Sequence, residues 1–173
     1  DDTSRGTVEF TGAGNSSLKN IQINGDRRGV ELYALESPVH LENILVEGVR
    51  QVGILFNSTA DYDPSLPGGA TLRQVVVQNT RSGDGGVFGS GMDVQYGAQV
   101  TAERVYMRNN RDIGIAIFDP NTQVSIEDLV VQDTQSQESD NTFGWGMDIS
   151  GGAHLTLQRA RVANNRGMGI AIF

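Results

Sequence analysis

Two aspartates 55 residues apart, Asp93 and Asp148, stand in nearly the same surroundings, Gly91-Met92-Asp93-Val94 and Gly146-Met147-Asp148-Ile149. A carboxylate between apolar neighbours on a short run of period two points away from the core its neighbours fill. There it can take a proton, a cation or a backbone N–H. If the two lie two strands apart in one stack, they are separated by about 9.6 Å, twice the strand spacing. That is too far for one calcium ion, whose oxygens sit at about 2.3–2.6 Å. It is also too far for a retaining glycosidase pair, and near the upper limit of an inverting pair at roughly 6.5–9.5 Å. Loop acids such as Asp84, Glu138 and Asp140 could close the gap. Asp93 and Asp148 are therefore the catalytic candidates, and Asp84, Asp93, Asp140 and Asp148 the calcium candidates. The competing expectation is that Asp93 and Asp148 bond backbone N–H groups of neighbouring loops and anchor them.

A second chemistry is recognition by stacking and charge. Tyr106 lies between Arg104 and Arg108 in a column that reads Gln22, Leu45, Val76, Tyr106, Val130, Arg161. An outward apolar strip bordered by amides and charges implies a partner, a ligand or a covering loop. The ring with its two arginines suits an extended, somewhat acidic polysaccharide. Trp145, in Phe143-Gly144-Trp145-Gly146, is an alternative sugar platform, whereas Phe88 and Phe143 recur in register and are expected to fold back over a corner. His40 and His154 each precede a strand position without a nucleophile in view, as surface histidines do.

These side chains are placed by a repeat. Residues 100–118 align without gaps on 155–173, sharing Asn-Asn-Arg and Gly-Ile-Ala-Ile-Phe. A repeat of this size governs every local reading. A unit of two short alternating runs and a Gly-led third run recurs six times, beginning near Ser16, Val39, Ala70, Val100, Val124 and Leu155. Period-two runs this short are strands. The corner after the second run carries Asn24, Asn79, Asn109, Asp133 and Asn164, residues that tolerate a left-handed turn and can bond one another in a ladder. Insertions at 80–90 and 134–145 interrupt the same corner, and a third at 57–69 contains Asp61-Tyr62-Asp63-Pro64.

This "strand, Asn corner, Gly-led strand" unit resembles the right-handed parallel β-helix of the pectate-lyase-like superfamily, in particular bacterial secreted or surface β-helix repeat proteins. The resemblance spans nearly the whole chain from Ser16, with 1–15 a partial first rung. It implies an all-β solenoid of about six turns with three short strands per turn, residues 1–173 forming a single domain. That architecture hosts lyases, hydrolases, adhesins and binding modules alike. A lyase of the superfamily would need clustered acids binding calcium beside a catalytic Arg or Lys, and no dense cluster emerges around Arg104 or Arg159. The expectation is a non-catalytic extracellular or cell-surface module, carbohydrate-binding or structural and adhesive, with Tyr106, Arg104, Arg108 and Trp145 as ligand residues. The alternative is a polysaccharide lyase or glycoside hydrolase. No cofactor is expected, and calcium is the one candidate.

Composition narrows the partners. A net charge of −8 disfavours a nucleic-acid groove, and no stretch has the length of a membrane-spanning helix. Twenty-two glycines against one Trp and four Tyr fit tight turns and aliphatic packing, and the lack of cysteine excludes disulfides and thiolate zinc sites. The start at Asp1 and the uncapped Phe173 lead to the expectation of a segment of a longer protein, or of end-to-end or face-to-face self-association.

Overall fold

The computed structural model describes residues 6–12, 15–58 and 69–173, so Asp61-Tyr62-Asp63-Pro64 lies outside the described residues. Those residues are almost entirely β, with one 3-10 turn, Asp84–Gly86. The strands are β1 (Gly6–Thr11), β2 (Ser16–Asn24), β3 (Arg28–Tyr33), β4 (Val39–Glu47), β5 (Val52–Asn57), β6 (Ala70–Gln78), β7 (Ser90–Gln95), β8 (Gln99–Arg108), β9 (Ile113–Ile117), β10 (Gln123–Gln132), β11 (Trp145–Ile149), β12 (His154–Ala163) and β13 (Ile170–Ile172).

Successive strands alternate between two parallel sheets. One is ordered β1-β3-β5-β7-β9-β11-β13 and the other β12-β10-β8-β6-β4-β2. Every pass therefore lies beside the preceding pass in each sheet. The register repeats without slips, for example Leu18↔Leu41↔Leu72↔Ala102↔Ile126↔Leu157. Register is pinned because a one-residue slip would turn every core side chain to water. Both sheets face one core in which Ile54, Leu72, Val77, Met92, Met107 and Ile115 have no exposed surface. Burying a side chain of this size contributes about 1.5–3 kcal/mol, and like stacks on like from pass to pass.

The sequence suggests three strands per unit, and the sheets show two. The first two runs join into one strand that bends at its middle. The bend residue is left-handed in all six passes: Asn20, Asn43, Gln74, Arg104, Asp128 and Arg159 have φ between 52° and 58°. The extra residue leaves two consecutive side chains pointing out, which is why the apolar residues flanking it, such as Leu41 and Ile44, are three apart rather than two. Left-handed conformation costs a non-glycine residue about 1–2 kcal/mol. At the first bend that cost is partly offset where Asn43 Nδ2 donates to Asn20 Oδ1 at 2.8 Å.

The corner after the bent strand shows one bond of the expected ladder, and one of its positions is corrected. Gly48, Asn79, Asn109, Asp133 and Asn164 are left-handed there, and Asn109 Nδ2 donates to Asn79 Oδ1 at 2.8 Å. Asn24 is instead the last strand residue of β2, paired with Glu47, because the corner in that pass falls one residue later, at Gly25.

Candidate functional site

The outer face of the seven-stranded sheet carries the column Glu31, Leu55, Asp93, Ala116, Asp148, Ala171. These carboxylates point away from the core, yet Glu31 and Asp148 are buried. Glu31 is fully engaged, accepting from Gly6 N at 2.6 Å and from the Arg28 guanidinium at 2.5 Å. Asp93 and Asp148 are not. The Ser90 and Ser150 hydroxyls, each of the same chain pass, lie close enough to Asp93 and Asp148 to favour their charged forms, while Oδ1 of both is sealed from solvent with no donor. The anchoring of neighbouring loops expected of these two is thus replaced by short-range serine contacts.

Asp112, just before β9, lies on the pass between theirs, near enough for its charge to act on Asp93 and for that of Asp148 to act on it, while the column position between the two is Ala116. Asp112 is 6% exposed and its Oδ1 likewise has no donor. Loop acids were the expected third member, and an acid at a left-handed strand entrance (φ 60°) is the buried one that the structure adds. Burial pushes Asp93 up to about 7, with Ser90 opposing and the Asp112 charge adding to the rise. Burial pushes Asp112 up to about 6, with Asp140 and Asp148 adding to it. Asp148 is raised in the same way by burial. Carboxyls held near neutrality are the groups that exchange protons under physiological conditions.

The calcium candidates are not gathered into one site. Asp84 is exposed on the 3-10 turn. Asp140 turns into its own loop, where bonds from Thr142 N, Thr142 Oγ1 and Gln137 Nε2 hold its carboxyl below the usual range. Among the described residues, no three acids or histidines converge where a metal ion could be held.

A sign follows for stability. A carboxyl raised in the folded state destabilises that state only once the unfolded chain can ionise, so the penalty grows from about pH 4 and is complete above about pH 7 for Asp93. Asp93→Asn should therefore be close to neutral at pH 4 and stabilising by about 1–3 kcal/mol at pH 8. Urea denaturation at the two pH values measures the difference, and equal effects at both would contradict a raised Asp93.

The four ligand candidates fall in three places. Tyr106 is half-buried on the outer face of the six-stranded sheet, in register with Val76 and Val130, and exposed Arg108 lies two residues on. Arg108 Nε is 3.8 Å from Asp133. Arg104 occupies the bend, and its guanidinium is 2.6 Å from Glu103, so it serves the corner as well as the surface. Trp145 belongs to the other sheet, edge-on to Phe143 at 5.2 Å and 6.0 Å from Phe173. Phe88 and Phe143 share φ 61°, as their register implies, yet remain 49% and 41% exposed. They do not seal a corner, because their left-handed backbone turns the rings outward. His40 and His154 are exposed.

The structural work missed in sequence falls to Asn110 and Asn165, one residue past the corner. Asn110 Oδ1 accepts from Thr80 N (3.1 Å) and Thr80 Oγ1 (2.8 Å) while its Nδ2 donates to Val77 O (3.0 Å). Asn165 repeats this with Thr134 N (3.0 Å) and Val131 O (3.4 Å). The doubled Asn in Asn-Asn-Arg was the available signal.

No described helix is long and apolar enough to cross a membrane. Comparison with known proteins returns no match: no family model fits the chain, and neither curated proteins nor solved structures include one significantly similar to it.

Proposed function

We propose that this chain is a right-handed parallel β-helix module of the pectate-lyase-like kind, secreted or displayed at a cell surface, whose six-stranded face binds an extended glycan without cleaving it. The observation that carries the reading is the strip Leu45, Val76, Tyr106, Val130. Each of these side chains points away from the core and remains partly accessible in register on neighbouring strands. Around them lie exposed Thr71, Gln74, Thr101, Arg104 and Arg108, donors and acceptors suited to hydroxyls and carboxylates. A parallel stack repeats its chemistry every ~4.8 Å, so one polymer running along the strip meets equivalent groups at each strand. Tyr106 supplies the ring for stacking on a sugar face.

Affinity electrophoresis through gels containing neutral or acidic polysaccharides tests this. Retardation should be lost on Tyr106→Ala, a drop of about tenfold or more in affinity for an anchor aromatic, with circular dichroism unchanged. Retardation unaffected by the substitution, or absent with every polymer, would remove the binding face and leave a structural spacer.

Polysaccharide cleavage is a second reading, favoured by the raised Asp93 and Asp112. It predicts release of reducing or unsaturated ends that Asp93→Asn abolishes. The acids lie on the sheet opposite Tyr106, so binding and cleavage fail independently.

A further inference from the structure

Asp93, Asp112 and Asp148 belong to three successive passes of the seven-stranded sheet, and each keeps one carboxylate oxygen sealed from water without a donor. A buried oxygen in that state is tolerated when the group carries a proton or meets a cation. The described acids do not converge on a metal position, which favours the proton over a cation. Asp93 faces Ser90 on its own strand, Arg28 from β3 and Asp112. Asp112 faces Asp140 and Asp148, and Asp148 faces Ser150. Arg28, the cation turned towards the row, is already bonded to Glu31 at 2.5 Å and Gln51 at 2.9 Å. Charge placed on the row therefore meets mostly like charge.

Asp112 also carries the loop. Its main-chain carbonyl accepts from Gly144 N at 2.8 Å and Trp145 N at 3.0 Å, fastening the end of the 134–144 loop to the entrance of β9. The acids facing the Asp112 carboxyl are Asp140, inside that loop, and Asp148, on the strand that follows it. The middle of the loop is held elsewhere: Glu138 N and Ser139 N both donate to Gly86 O at 2.9 Å, and Arg111 bonds Ser136 O at 3.0 Å. Ionisation of Asp112 thus acts first on residues 140–144, which Gln137 joins to the anchored 136–139 segment through its N to Thr142 O at 3.2 Å and its Nε2 to Asp140 at 2.9 Å.

We propose that Asp93, Asp112 and Asp148 form an acid-closed latch: with protons on the row, residues 140–144 stay seated on Asp112, and ionisation of the row unseats them while both sheets, Trp145 of β11 included, persist. Opening lifts Phe143 off the Trp145 ring, with which it is in edge-on contact. The device answers to pH, whatever ligand the Tyr106 face takes.

Trp145 is the single tryptophan and lies at the latch, so its fluorescence reads the movement directly. Acrylamide quenching is followed from about pH 5 to about pH 8, with far-UV circular dichroism as the control for the sheets. The expected result is a rise in quenching centred between pH 6 and 7 at constant circular dichroism. Asp112→Asn should remove most of that rise, and Asp148→Asn should move its midpoint to lower pH, because a like charge has gone. If Asp112→Asn does not fold, the Asp148→Asn midpoint decides. A flat profile in the parent protein would overturn the latch. So would a parent-like transition in both variants, which would assign the titration to a group outside the row. A transition abolished by calcium and restored by chelator would also overturn it, making the row a cation site.

Discussion

Gly91→Ala is expected to destabilise the fold by about 3 kcal/mol or more, the overpacking cost of a methyl with nowhere to go. A Cβ built on Gly91 would lie 2.5 Å from the carbonyl oxygen of Gly114, 2.7 Å from Asn110 Nδ2 and 3.1 Å from Met107 Sδ. The first of these is backbone of the neighbouring strand. Moving it breaks the parallel ladder, whereas a flexible side chain would simply rotate. The same clash recurs along the Gly29, Gly53, Gly91, Gly114, Gly146 column, each glycine meeting the next one's carbonyl oxygen and a core side chain. Gly48→Ala is the control. Its φ of 64° carries the left-handed penalty of about 1 kcal/mol, but nothing lies within 4 Å of its Cβ. Urea midpoints of the two variants separate steric stacking from backbone conformation. If Gly91→Ala costs no more than Gly48→Ala, the strands are not stacked as closely as the register requires.

That glycine column was legible in the sequence as the Gly-led run, and so were the six repeating passes, though not their division into two strands rather than three, because period-two hydrophobicity and a 55-residue repeat are long-range signals that survive local noise. The bend was not. Asn20, Asn43, Gln74, Arg104, Asp128 and Arg159 share a left-handed φ without sharing a residue type, so composition could not mark the position. Only the three-residue spacing from Leu41 to Ile44 and its equivalents betrays it.

The acid row shows the same limit from another side. Asp93 and Asp148 stood out because they repeat; Asp112 did not, because the aligned residue is Gly167. The reason is physical. A Cβ at Gly167 would fall 2.6 Å from Phe143 O and 2.6 Å from Trp145 Cδ1, so the Trp145 ring excludes a side chain there. One pass carries the acid and the other the indole. A departure from the repeat inside its most regular segment was the signal, and a search for similarity passes over it.

Asn110→Ala is expected to be the most costly loss of a polar side chain, about 3–4 kcal/mol, against a total stability of about 5–15 kcal/mol for a domain. The residue is 1% exposed and all three of its bonds are buried. Alanine would leave Thr80 N, Thr80 Oγ1 and Val77 O without these partners in a site that water does not reach, and orphaned buried groups cost far more than the mean hydrogen bond contributes. Asn109→Ala, one residue earlier, removes the exposed bond to Asn79 and should cost about 1 kcal/mol or less. Asn165→Ala should fall between them, since its site is only half-buried and its bond to Val131 O is 3.4 Å long. The order 110, 165, 109 in chemical denaturation is the test, and a cost at Asn109 equal to that at Asn110 would return the ladder to the outer corner. The Gly91 and Asn110 substitutions must also couple. The added methyl of Gly91→Ala points at Asn110 Nδ2, so removing that amide relieves one of its clashes. The double variant should then be less destabilised than the sum of the singles, the non-additivity expected of residues that share one packed contact.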